Sequence, residues 1–288
     1  MPVLLVASSQ PRVGRSLVAA TVAYRLGRDG RAVTLARLAG DDGAAADART
    51  FASIEQLVTP GRPVSPADIA SLGGDVVIEA PAGDVSALAG QTGARVLAVG
   101  TQASPPVEAA PDMLAGSVIT RVPAADVAAV SQRAGTVAVL AEDRVLAAPS
   151  VAAIAEVTGA RWLVESDERG TVERVMIGTV ASDAASPYFA NRERTCIVTR
   201  FDKTDIQLAA LLTNLECLLL TAGGEPSPYL LDRAASMRDG LSVLLAAGST
   251  VEVMRDIEAL YGVSRFDGAG KLMRAVELFD TAGVPVEI

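Results

Sequence analysis

The chain has 288 residues, half of them hydrophobic and only 3% aromatic, with a formal net charge of −9 and a pI near 4.7. That length accommodates two modest domains or one large one, no apolar run approaches the ~18 residues of a membrane span, and the acidic balance argues against non-specific nucleic-acid or anionic-membrane binding, which needs basic surface. Histidine is absent, which removes Ser-His-Asp triads, histidine general bases and histidine-based zinc sites. The opening "PVLLVA" has no basic flank and is too short for a signal peptide, so a cytoplasmic protein is expected. Cys196 and Cys217 fall in apolar runs and read as small core residues; no zinc and no redox cofactor is expected.

In chain order, "PVLLVAS" (2–8), "AVTLARL" (32–38), "DVVIEAP" (75–81), "RVLAVGT" (95–101), "GSVITRV" (116–122) and "TVAVLAE" (136–142) predict buried strands. They are near-continuous apolar runs rather than alternating ones, the pattern of a parallel sheet covered on both faces. Ala-rich amphipathic stretches separate them; 15–27 keeps Leu17, Val18, Thr21, Tyr24 and Leu26 near one face and is expected to end at Gly27. Alternating strands and helices predict an α/β fold, a doubly wound and mostly parallel sheet, over residues 1–150.

"AAPSVAAIAEVTGA" (147–160) reads as a helix joining the halves, and "ESDERG" (165–170) as a hinge. Strands are expected at 172–180, 195–200, 216–222 and 241–247. Helices are expected near 183–190, 205–213, 227–238 and 249–261, with one more amphipathic helix in "GKLMRAVELFDTAGV". Residues 151–288 therefore read as a second, smaller α/β domain.

Two sets of loops carry candidate chemistry. "VASSQPRVGRSLVAA" (6–20) runs from a strand through a small-residue turn into a helix, the outline of a phosphate-gripping loop whose backbone N–H groups wrap phosphate oxygens. Ser8, Ser9, Gly14, Arg15 and Ser16 are its candidate binding residues. Arg15 stands where such a loop carries Lys, and serine replaces the first glycine; Arg and Lys are not interchangeable at a crowded site. Glu79, at the carboxyl edge of the third strand, joins Ser16 as a candidate ligand for Mg²⁺ in a weakly bound Mg·nucleotide. Asp41, Asp42 and Asp47, after the second strand, read as a solvated acidic loop. In the second half, Asp202, Lys203, Thr204 and Asp205 sit between a strand and a helix. Lys203 and Lys271 are the only lysines. Thr204 or Asp205 would cap a helix starting near Ile206, and Lys203 beside that helix start would attract an anion. Thr221, Gly223 and Gly224, after the next strand, would give the same ligand close backbone access.

These stretches resemble a known arrangement. "ASSQPRVGRS", the "GDD" loop, "VVIEAPAG" and "AEDRVLAAPSV" (141–151) are similar to the dethiobiotin-synthetase-like domain at the N-terminus of long bacterial and archaeal phosphotransacetylases, with Ala141 where that family usually has proline. "VERVMIGTVASDAASPYF" and "TRFDKTDIQLAALLTNLECLLLTAGGEPSP" look like the DRTGG domain that follows there. The family core near Gly-Asp-Arg-Thr-Asp appears here as Phe201, Asp202, Lys203, Thr204, Asp205, and its Thr-Gly-Gly-type loop as Thr221, Ala222, Gly223, Gly224. The resemblance implies paired DRTGG domains, hence a homodimer, for which an apolar helix face of Leu208, Leu211 and Leu212 is available. It also implies that the lysines of dethiobiotin synthetases are replaced by Arg15 and, approximately, Arg37, which makes diamine carboxylation improbable. The acetyltransferase domain of full-length relatives is expected to be absent. The expected function is a non-catalytic regulatory or ligand-sensing protein that binds a nucleotide or small anion. The alternatives are a nucleotide-dependent enzyme (an ATPase or ATP-using ligase) and an accessory subunit of a separate phosphotransacetylase.

Overall fold

A computed structural model describes residues 2–165, 170–178, 194–237, 241–263 and 265–283. The helix expected near 183–190, and residues 166–169 of the expected hinge, lie outside the described residues. The chain divides into two compact units, residues 1–146 with 266–288, and residues 147–265.

The first unit contains β1 (Val3–Ala7), α1 (Arg15–Arg28), β2 (Val33–Arg37), α2 (Ala44–Ala52), β3 (Asp75–Glu79), α3 (Ser86–Thr92), β4 (Arg95–Gly100), β5 (Leu114–Val122), α4 (Val127–Ser131) and β6 (Thr136–Ala141). All six strands join one sheet in the order β2-β3-β1-β4-β5-β6, and every neighbouring pair is parallel. The unbroken apolar runs are explained by the two cores. Leu4 and Val6 enter one with Val18, Val22 and Leu26 of α1. Val3, Leu5 and Ala7 enter the other with Ile69, Val85 and Ala89. A strand alternates its side chains between faces, so with both faces covered every position must be apolar. The order places β3 between β2 and β1, and the register sets Glu79 beside Val6 on one side and Arg37 on the other. Side chains at matched positions of neighbouring strands share a face, so Arg37 and Glu79 are adjacent at the sheet's carboxyl edge.

After the single turn α5 (Arg144–Ala147), the second unit is built from α6 (Val151–Thr158), β7 (Arg161–Val164), β8 (Arg174–Ile177), β9 (Thr195–Arg200), α7 (Thr204–Ala210), β10 (Leu215–Thr221), α8 (Pro228–Ala235), β11 (Ser242–Leu245) and α9 (Thr250–Glu258). Its sheet runs β7-β11-β10-β9-β8, parallel except for β7, which pairs antiparallel with β11. Strand β7 was not expected from the sequence: "RWLV" is too short to show a period. Helix α6 belongs to this unit rather than acting as a connector, because Val151, Ile154 and Ala155 pack with Val253 and Ile257. The 165–170 stretch also falls inside the unit, so its ends do not separate the two bodies. Cys196 and Cys217 are register partners on β9 and β10, both buried. Burial, then the neighbouring Cys196, pushes the Cys217 thiol well above its ordinary value, which suits packing and not nucleophilic chemistry. The expected apolar face of α7 is also revised. Leu211 is buried and Leu208 packs against the same core, which leaves Leu212 as the exposed member of the three.

The last helix, α10 (Ala269–Thr281), groups with the first unit. Its apolar face of Leu272, Val276 and Phe279 joins the α1 core of the first unit. Asp280 pairs with Arg25 and Arg28 at the end of α1, and Arg274 pairs with Asp143 after β6. Residues 266–288 thus group with the first unit and not with 151–265. Phe279 is fully buried, so Phe279→Ala should cost about 3–5 kcal/mol. The single tryptophan, Trp162, lies in the second unit. On denaturant unfolding, the circular-dichroism transition of the first unit should move to lower denaturant while the Trp162 fluorescence transition stays in place.

Candidate functional site

The loop after β1 is shaped by one glycine and one distant hydroxyl. Gly14 is the N-cap of α1 at φ 89, a left-handed conformation open to glycine. A Cβ there would stand 3.4 Å from Thr120 Cγ2. Thr120 Oγ1, on β5, donates to the Val13 carbonyl at 2.7 Å and so holds the loop down. No local motif points to Thr120, because its role depends on a contact across 107 positions of chain. Ser9 is exposed and its hydroxyl donates to the Pro105 carbonyl at 2.9 Å. Ser8 is buried, donates to the Gln10 carbonyl at 2.7 Å, and accepts from Arg15 Nη1 at 2.8 Å.

Arg15 therefore folds inward. Its Nε donates to Glu79 Oε1 at 3.1 Å, and Ser16 Oγ donates to the same oxygen at 2.8 Å. Arg37, 1% exposed, approaches Glu79 Oε2 at 3.6 Å, donates to Asp47 Oδ2 at 3.2 Å and reaches Asp41 Oδ1 at 2.7 Å. Asp41 and Asp47 are thus clamps on Arg37 rather than members of a freely solvated loop, whereas Asp42 is exposed. The loop, α1, β2, α2 and β3 meet in one network of three carboxylates and two guanidiniums.

The electrostatics follow from burial. Glu79 is 1% exposed. Burial pushes its carboxyl above its ordinary value, while Arg15 and Arg37 pull it back. Two guanidiniums and a hydroxyl donor favour the carboxylate at neutral pH, since a protonated Glu79 would leave both arginines short of counter-charge. Burial works against the charge on Arg37, but Glu79 and Asp41 outweigh it and raise its pKa. Burial likewise pushes Asp41 up, yet the hydrogen bond and charge of Arg37 hold it below its ordinary value.

Ser16 and Glu79, the pair expected to hold Mg²⁺, do come together, but they bond to each other, and Glu79 also takes Arg15. The guanidinium sits on the oxygen that a metal would need, and two positive groups already compensate the carboxylate. The arrangement does not fit a divalent cation. Among the described residues, no group of three or more His, Cys, Asp or Glu side chains could hold a metal ion.

In the second unit the other expected residues gather at the carboxyl edge of β9 and β10. Asp202 is exposed and takes Arg200 Nε at 3.1 Å. Lys203 is exposed, and its charge acts on the neighbouring Asp202 carboxylate. The Lys203 N–H donates to Arg200 O, closing a turn, and Gln207 N–H donates to Lys203 O. The helix consequently starts at Thr204, with Lys203 as N-cap and no side-chain cap bond. Thr204 and Asp205 are inside the first turn, so neither is the expected cap. Gln207, which the sequence reading passed over, takes the stitching role: its Nε2 donates to Arg200 O at 2.8 Å and Phe201 O at 3.0 Å. Thr221 is buried and shares a hydrogen bond of 2.9 Å with Thr250 Oγ1. Gly223 lies at φ 65 and its N–H donates to Ala246 O. A Cβ at Gly224 would fall 2.3 Å from Phe201 Cζ. The need for glycine there comes from the Phe201 ring, which covers it.

Residues 153–260 match the DRTGG domain family, and this span lies within the second unit. A solved structure of the CBS and DRTGG domains of the regulatory region of Clostridium perfringens pyrophosphatase, complexed with its activator diadenosine tetraphosphate, is similar to part of this chain. The identity is 18%, the TM-score is 0.36, and the match covers 44% of this chain and 56% of that one. The chain thus spans little more than half the length of that relative. Among the described residues no helix is long and apolar enough to cross a membrane.

The depressed pKa of Asp41 fixes the sign of a pH effect. Its pairing with Arg37 stabilises fully above the ordinary carboxylate value of ~3.9 and is lost as pH falls through the depressed folded value. Asp41→Asn should therefore be less stable than wild type at pH 7, and the gap should close as the pH is lowered toward 3 in denaturant titrations.

Proposed function

We propose that this chain is a regulatory, ligand-sensing protein whose DRTGG unit binds a nucleotide or other anionic ligand, and whose first unit is a dethiobiotin-synthetase-like scaffold that performs no catalysis. The observation that carries this reading is the exposed Lys203, beside Asp202 at the carboxyl edge of a parallel sheet inside the DRTGG match. Ligands of such sheets bind at that edge. The other lysine, Lys271, is buried against Asp267, so Lys203 is the solvent-facing one of the two. Phe201, half-buried, packs against the core of this unit and covers Gly224. Asp202, Thr204, Asp205, Thr221, Gly223 and Gly224 frame the site.

In the first unit Ser8, Ser9, Gly14, Arg15 and Ser16 keep the form of a phosphate loop. The inward pairing of Arg15 supports a structural role over the alternative of an ATPase or ATP-using ligase. The motifs shared with the N-terminal region of phosphotransacetylases support a homodimeric, cytoplasmic regulator of that type, with a separate phosphotransacetylase as a candidate partner.

The test is calorimetric titration of a nucleotide panel, including diadenosine polyphosphates, against wild type, Lys203→Ala and Arg15→Ala. Lys203→Ala should weaken binding about ten- to a hundred-fold and leave the unfolding midpoint unchanged; Arg15→Ala should leave binding intact. Loss of binding in Arg15→Ala alone would place the sensor in the first unit, and sustained ATP hydrolysis with Mg²⁺ abolished by Ser16→Ala would favour the enzyme.

A further inference from the structure

The misfit between the first unit and a divalent cation has a specific physical form. Glu79 Oε1 receives two donors, Arg15 Nε and Ser16 Oγ, while Oε2 is buried with no hydrogen bond and only the Arg37 guanidinium at 3.6 Å. The carboxylate is thus compensated mainly by charge and is incompletely hydrogen-bonded. Asp47, whose charge also raises the Glu79 pKa, lies nearby on Arg37. A hydroxyl and a carboxylate on one side, with a second carboxylate close by, are hard oxygen donors of the type that Mg²⁺ and Mn²⁺ take, water completing the shell. Between Glu79 and Ser16 the side chain in the way is Arg15, while Arg37 holds Asp47.

We propose that the Arg15 guanidinium fills, from within the chain, a divalent-cation position between Glu79 and Ser16, closing the first unit to metal. Arg15 is a permanent counter-ion here: it never deprotonates at physiological pH, and it is anchored a second time on Ser8. A lysine would place a compact charge on a flexible stem, able to leave Glu79 for a ligand, whereas the fork of Arg15 bonds Glu79 and Ser8 together. Removing the guanidinium leaves the buried carboxylate with Arg37 at 3.6 Å as its one remaining counter-charge and with Oε1 held by Ser16 alone, and a divalent cation becomes the natural replacement.

The experiment is Mn²⁺ binding, followed by the loss of the free Mn²⁺ electron-paramagnetic-resonance signal, together with thermal unfolding in the presence and absence of Mn²⁺. The full chain is compared as wild type, Arg15→Ala, Arg15→Gln and the double variant Arg15→Ala/Glu79→Gln. Arg15→Ala should gain one saturable Mn²⁺ site, about tenfold or more tighter than any site in wild type, and its unfolding temperature should rise with Mn²⁺ while that of wild type does not. The double variant should lose the gained site. If Arg15→Ala fails to fold without metal, recovery of its helical signal on adding Mn²⁺ is the same result, and Arg15→Gln, which keeps a donor for Ser8 without the charge, reports independently. Overturning results are a Glu79-dependent Mn²⁺ site already present in wild type, no gain in either single variant, or both single variants unfolded regardless of Mn²⁺.

Discussion

A carboxylate that leaves water must find its compensation inside the protein or lose its charge, and Glu79 is buried at the point where three strands end. Its position follows from the sheet: the last residue of β3, in register with Arg37 of β2 and Val6 of β1. One guanidinium arrives along the sheet from Arg37 and the other from the first residue of α1. Satisfying Glu79 therefore fixes how the loop between Ser8 and Ser16 folds, since Arg15 must turn inward. It also fixes where α2 begins, since Asp41 and Asp47 complete the pairing of Arg37. The carboxyl edge of this unit is set by charge neutralisation among its own residues, while Arg12 of the same loop stays exposed.

The second unit solves the same edge differently. Its strand ends are joined by neutral groups: the Thr221–Thr250 hydroxyl pair and the Gln207 amide on the Arg200 and Phe201 carbonyls. The charged residues Arg200, Asp202 and Lys203 stay in solvent. Exposed pairs such as Arg200–Asp202 are worth little to stability, so these side chains can be redirected toward a ligand at small cost. The buried charges of one edge are neutralised internally, and the charged side chains of the other face solvent.

Much of this architecture was legible in the sequence, and the misses have physical reasons. The unbroken apolar runs specified a sheet covered on both faces, and all six strands of the first unit lie where those runs predict, within a residue or two. Edge strand β7 was invisible because four residues carry no period. The return of α10 to the first unit was invisible because an amphipathic helix announces that it needs a partner and not which one; only Leu272, Val276 and Phe279 in contact with α1 decide it. At the candidate site, Gly14, Arg15, Ser16 and Glu79 were found by strand–turn–helix grammar. Arg37 as a buried partner, Thr120 as the loop's anchor and Gln207 as the stitch of the α7 start depend on contacts across elements, which single-sequence spacing does not encode.

The dependence of the first unit on Glu79 is most directly measured by a double-mutant cycle between Arg15 and Glu79, with unfolding free energies of wild type, Arg15→Ala, Glu79→Ala and the double variant at neutral pH. Removing either partner leaves a buried charge behind, so each single substitution should cost about 3–5 kcal/mol. The double substitution should cost clearly less than the sum, with a coupling of about 1–3 kcal/mol. Additive losses within about 0.5 kcal/mol would mean that the two side chains act independently, and that charge neutralisation at Glu79 does not organise this edge of the fold.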